Sequence, residues 1–261
     1  MTRYLRLWVE LFRTCILREM LFRANFVAIL ATSSWWFIMN VVMFQVIFGH
    51  VTEIAGWTKY EIFFLVGTSH ATFGIFETLF MVNMTRIPEL IRTGELDFYL
   101  LKPVSTQFLI SARYADFEAV PNTLVGFAFV AWCAARLHAV FSWTALAAFA
   151  LFVVNGVALY YTLLFVSVTV SFWFMRFHAM NIWWQMTSLA RQPAEVFPPM
   201  LRFVLTYCVP MLVIVNFPVK AYLGRLSPYA GIGALAATGV LLGLSQVFFT
   251  FALRRYRSAS S

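Results

Sequence analysis

Apolar residues in this chain fall in long blocks. One block covers about Asn25–Phe48 and the next about Ile62–Met84. A third runs from about Phe117 to Ala135, with Pro121 near its start, and a fourth from about Trp143 to Phe174. The last extends from about Gly231 to Leu253. A hydrocarbon layer of about 30 Å demands about 20 apolar residues of helix. Backbone groups in lipid must be satisfied within their own segment. Each block is therefore predicted to be a membrane-spanning helix. The fourth is longer than a bilayer needs, so it is expected to tilt or to continue into water.

Between Met175 and Tyr229 the pattern supports two readings. Hydropathy alone makes Phe203–Phe217 the fifth span. The preceding run, His178–Phe197, has a helical composition but carries Asn181, Gln185 and Arg191. One of them must cross if both ends of the chain are cytoplasmic.

The first 24 residues follow another period. Tyr4, Leu7, Trp8, Leu11, Phe12 and Cys15 share one helical face, and Arg3, Arg6, Glu10 and Arg13 lie largely off it. This predicts an amphipathic helix that lies in the inner membrane interface, packs on the protein's own cytoplasmic face, or does both. Arginines interrupt the stretch, so it has no continuous apolar core of the kind a signal peptide requires.

Composition agrees with the blocks. The chain has 261 residues, 62% hydrophobic and 11% charged, where soluble domains carry about 25% charged residues. Lys and Arg concentrate on cytoplasmic flanks. With the N-terminus inside, that side holds Arg3, Arg6, Arg13, Arg18, Arg23, Arg86, Arg92, Lys102, Arg113, Arg176, Arg254, Arg255 and Arg257. The outer side holds Lys59, Arg136, Lys220 and Arg225. The net charge of +8 is accordingly read as topology and contact with anionic lipid. Nucleic acid is not an expected partner for a chain with so little soluble surface.

The chemistry of soluble enzymes is missing. There is no G-x-x-x-x-G-K-[ST], no H-E-x-x-H and no G-x-S-x-G. His50, His70, His138 and His178 are scattered, and Cys15, Cys133 and Cys208 lack metal-like spacing. Three free thiols, no catalytic residues and no metal site are expected. If ATP drives this protein, ATP and Mg sit on a separate chain.

The loop after the second block, about 85–105, is the most informative stretch. Pro88 is suited to open a short helix and Gly94 to stop it. Glu95 and Asp97 then start a second segment, which Pro103 ends. On these grounds alone the stretch is either a capped helical element or an ordinary solvated loop. The run Arg92-Thr93-Gly94-Glu95-Leu96-Asp97, followed by Leu100-Leu101-Lys102-Pro103-Val104-Ser105, resembles the signature loop of type-2 ABC exporter permeases. It is most similar to the six-span branch encoded with a sister permease and an ATPase. Phe197-Pro198, Leu205-Thr206-Tyr207, Pro210 and Asn216-Phe217-Pro218 resemble the segment before that branch's last span.

The resemblance implies that Arg92, Gly94, Glu95, Leu96, Asp97 and Pro103 couple the chain to a P-loop ATPase. It implies a second permease, as sister chain or homodimer, and a place in the bacterial cytoplasmic (inner) membrane. It also makes His178–Phe197 the fifth span and about 199–224 a re-entrant segment. The expected fold is an all-α integral membrane bundle of six transmembrane helices, residues 25–261, preceded by the interfacial helix 1–24, with both termini cytoplasmic. An ATP-independent secondary transporter or another polytopic membrane protein is the alternative.

Ionisable groups inside a membrane are functional hypotheses, since each costs about 2.5 kcal/mol or more at mid-bilayer. His70, Gly74 and Glu77 share a face of the second span. That face either lines a translocation path or makes interhelical hydrogen bonds. Gly239 and Gly243 permit close helix approach in the last span, a candidate dimer contact. Trp35-Trp36 and Trp183-Trp184 belong either to interfacial belts or to a path that binds cationic or aromatic cargo.

Overall fold

A computed structural model describes residues 2–19, 23–137, 142–174 and 179–256, with side chains for 6–15, 34–137, 142–174 and 183–256. Tyr4, His138, Arg176, His178 and Asn181, singled out above, lie outside the described side chains. The helices are α1 (Thr2–Glu19), α2 (Arg23–Ile47), α3 (Lys59–Thr93), α4 (Leu96–Leu100), α5 (Thr106–Ala112) and α6 (Phe117–Arg136). They continue as α7 (Trp143–Phe172), α8 (Ala179–Ala190), α9 (Pro199–Cys208), α10 (Met211–Tyr222) and α11 (Pro228–Arg255). A two-stranded hairpin, Glu53–Ile54 with Trp57–Thr58, turns through Ala55 and Gly56, both at positive φ.

Among the described residues four helices, α3, α6, α7 and α11, are long and apolar enough to cross a membrane. Their positions match the second, third, fourth and last apolar blocks. α2, 25 residues long, matches the first. In the ambiguous stretch the described residues form α8, of 12 residues, and two further helices. α9 and α10 qualify as a membrane segment only together, and their axes are bent by 93°. Pro210 stands at that bend and supplies no N–H to continue a helix.

α3 is the centre of the bundle. It measures 35 residues, about 52 Å, so it outruns any hydrocarbon layer. It runs unbroken through a π-helical turn at Glu77–Met81 and through Pro88. The separate short helix expected to begin at Pro88 does not exist. Proline removes one backbone bond, but Met84, Ile87, Leu90 and Ile91 are buried around it, and this packing holds the helix together. Gly94, at φ 76°, then stops it in the left-handed conformation.

The seam between α3 and α6 is built on small residues. A Cβ on Gly126 would sit 2.7 Å from the Ala71 backbone nitrogen, and one on Gly74 would strike Thr123. α10 comes as close to α7: a Cβ on Gly156 would lie 2.6 Å from the Ile214 carbonyl oxygen. Hydroxyls in these spans bond back to their own helices. Thr68 donates to the Phe64 carbonyl, Thr162 to Ala158 and Thr238 to Ala234, which satisfies these donors within their own segments.

At the far end from Gly94, a polar cap ties the non-helical pieces together. Arg225 pairs with Glu61 at 2.6 Å. Glu195 accepts from Lys220 Nζ at 2.6 Å and from Trp57 Nε1 at 2.8 Å. Asn216 accepts from the Ala194 N–H and donates to the Gln192 carbonyl. Lys220 ends α10 and Glu195 precedes α9, so the two ends of the bent pair meet at this cap. Burial pushes the Glu195 carboxyl up, but the Lys220 and Trp57 hydrogen bonds and the Lys220 charge outweigh it and hold it below the usual carboxylate range. Its stabilising contribution is therefore present above the unfolded value, about 4.5, and is lost as pH falls through the lower folded one. Thermal unfolding at stepped pH checks this. The gap between wild type and Glu195→Gln should be constant near neutrality and close below about pH 4.5.

The face of α1 predicted from the sequence packs on the chain itself. Phe12 meets Phe117 edge-on, with centroids 4.8 Å apart, and Cys15 Sγ lies 3.8 Å from the Arg113 carbonyl oxygen. Arg6, Glu10 and Arg13 are exposed on the opposite side.

Candidate functional site

Two features stand out, one inside the bundle and one at the Gly94 end. The first is a cavity of about 400 Å³ bounded by α2, α3, α6 and the α8 region. Its aromatic wall is Trp36, Phe37, Phe73 and Trp184; its polar groups are Asn40, Ser69, His70, Glu77, Asn122, Ser188 and Arg191. His70 stacks on Phe37 with centroids 4.5 Å apart. The Arg191 guanidinium sits 5.7 Å from the Phe73 ring centroid. It also interacts electrostatically with both His70 and Glu77.

Of the three residues placed on one face of α3 from the sequence, His70 and Glu77 line this cavity. Gly74 is not part of the lining. That residue is turned against Thr123, so it closes the α3–α6 seam and does not border the space. Glu77 opens the π-helical turn. Such turns relocate side chains and recur at functional positions.

Sequence reasoning missed Arg191 and Asn122 as members of this site. Arg191 was visible as a charge in an apolar run, which is a signal in itself. Asn122 had none. Of the tryptophan pairs, Trp36 and Trp184 face the cavity, whereas Trp183 is buried against Phe76 and Tyr160. Among the described residues, no group of His, Cys, Asp or Glu is arranged to hold a metal ion. Cys15, Cys133 and Cys208 are free.

The second feature is the loop beyond α3. Arg92 is exposed and pairs with Glu89 one turn earlier. Glu95 is exposed at the start of α4, Asp97 is half-buried, and Pro103 is exposed in the turn that follows. Leu96 is fully buried. It anchors α4 from beneath and offers no surface of its own. Tyr99, also buried, accepts a 2.7 Å hydrogen bond from Arg113. With this face clamped, the other turns outward: Phe98 is 69% exposed and Leu101 82%. Two large apolar side chains, three apart on one helical face, stand bare between charged neighbours. Their type was legible in the sequence, but an apolar residue in a loop looks the same whether it anchors or protrudes.

Gly239 and Gly243 lie on the outward side of α11. Nothing among the described residues would come within 4 Å of a Cβ at either.

Residues 35–260 match a family model described as ABC-2 family transporter protein. No curated protein and no solved structure shows a significant match.

Proposed function

The chain belongs to the ABC-2 transporter family, and from that premise we propose that it is the membrane-spanning permease subunit of an ATP-driven exporter in the bacterial cytoplasmic membrane. ATP and Mg belong to a separate P-loop ATPase. The observation that carries this reading is the bare apolar face of α4. Phe98 and Leu101 are too exposed to serve the chain's own packing, and an aromatic anchor ringed by charge is what a protein interface uses. Arg92, Glu95 and Asp97 form the rim, Gly94 sets the angle at which α4 leaves α3, and Leu96 and Pro103 fix its two ends.

The same reading places six spans in the membrane. α8 serves as the fifth. It runs from Trp183, which packs on Phe76 at mid-bundle, toward Glu195 beside Trp57 at the cap. α9 and α10 then form a re-entrant hairpin, supported by the Glu195–Lys220 bond that joins its two ends. Both termini and the α4 loop lie on the cytoplasmic side, with α1 at the lipid interface. A second permease, identical or sister, completes the path, and the open face at Gly239 and Gly243 is available to it. His70 and Glu77 border the route of the cargo.

The test is affinity purification from native membranes, with mass spectrometry and an ATPase assay on the eluate. A co-purifying P-loop ATPase is the expected result. A clean permease without one would point instead to an ATP-independent carrier.

A further inference from the structure

The polar cavity holds two opposite charges that feel each other across it without direct contact. Glu77 and Arg191 both line it, yet no ion pair or hydrogen bond joins them. Unsatisfied polar groups accompany them. His70 Nε2, Asn122 Oδ1 and Arg191 Nε are buried without a hydrogen-bond partner in the described structure. In a weakly screened interior, a carboxylate and a guanidinium held apart are each costly alone. A ligand with one charge would satisfy one and strand the other. A ligand with both would satisfy both.

We propose that this cleft binds a small zwitterion, its ammonium end at Glu77, its acidic end at Arg191, and its apolar body along the aromatic wall. The size fits: about 400 Å³ falls within the roughly 300–1,000 Å³ of small-molecule sites. So does the wall, since Trp36 and Trp184 offer π faces that favour an ammonium group. Asn122 supplies a free acceptor for an N–H, and the Arg191 Nε–H is a free donor for an acid oxygen. Two sources share this chemistry: a free amino-acid-like or peptide molecule, and the headgroup of a zwitterionic lipid. The proposal rests on the reading of the cleft as the cargo route and names the class of cargo.

Binding is measured on the purified full chain in non-ionic detergent, with no ATPase present, so its outcome is independent of the co-purification result. The probes are the dipeptide Leu-Leu, its C-terminal amide, its N-acetyl derivative, and a short-chain phosphatidylethanolamine. At least one zwitterionic probe should bind about 30-fold more tightly than a single-charge analogue, the scale of stranding a buried charge. Binding of the dipeptide alone assigns a free solute, and binding of the phospholipid alone assigns a lipid headgroup. Glu77→Gln should bring the dipeptide down to the level of its N-acetyl form, and Arg191→Gln to the level of its amide. Ser188→Trp, at an exposed position on the rim, should block every probe without touching either charge. If the amide or the N-acetyl form binds as well as the parent, or if neither zwitterion binds, the proposal is overturned.

Discussion

A chain carrying Phe98→Asp and Leu101→Asp should purify as a folded membrane protein and arrive without the ATPase proposed to bind it. The two side chains contribute little internal packing, being 69% and 82% exposed, so unfolding should be nearly unchanged, as is usual for surface substitutions. At an interface the same residues would be anchors. Truncating an anchor costs about 2 kcal/mol or more, and a desolvated carboxylate in its place adds to that. A loss of at least about 30-fold in affinity is expected. It is read as the amount of ATPase retained per permease after washing. Leu96→Asp is the contrasting control. It places a charge where the side chain is fully buried, so it should lower the unfolding temperature as well as ATPase retention. Full retention of the ATPase by the double variant would remove α4 from the interface.

Gly126→Val should destabilise the bundle. The added Cβ would meet the Ala71 backbone nitrogen at 2.7 Å and the Ala71 Cα at 3.0 Å. Backbone cannot swing aside as a flexible side chain does, so α3 and α6 must separate. Overpacking of this kind costs about 1–3 kcal/mol, and here it acts on the seam that also carries the cavity. Gly239→Val, which meets nothing within 4 Å, should fold normally. The comparison is made by thermal unfolding and folded yield of the two variants side by side. Equal yields would mean that the α3–α6 seam is looser than these distances describe.

The spans were legible because hydropathy is a property of composition, and α3, α6, α7 and α11 needed nothing more. The N-terminal face was legible for a similar reason: its period survives in the sequence, and Phe12 and Cys15 are found where that period puts them. Pro88 was misread because its local signal is real, but packing around Ile87, Leu90 and Ile91 overrides it. The π-helical turn at Glu77 left no mark in the pattern, since a single wider turn has no composition of its own. Half of the cavity was legible, as His70 and Glu77 are close in sequence and on one helix. Arg191 and Asn122 come from distant parts of the chain, and only the packing of α8 and α6 against α3 brings them in. The bend at Pro210 could be anticipated from the proline, whereas the Glu195–Lys220 tie that fixes it is a tertiary fact.

The unbroken course of α3 has a mechanical consequence. Glu77 and Gly94 stand on the same rigid rod, about 26 Å apart along its axis. The close seam where Gly126 meets Ala71 would serve as a fulcrum beside the upper part of that rod. A tilt of only about 10° about it would swing the Gly94 end by about 6 Å over the roughly 34 Å of helix from Ala71, a shift large enough to reseat α4 on whatever holds it. The swing works in both directions. If an occupied cleft changes the grip of the loop on its partner by some factor, the partner must change the grip of the cleft on its cargo by the same factor. Cargo and ATPase would then weigh on one arm of the same beam, one near its fulcrum and the other at its end.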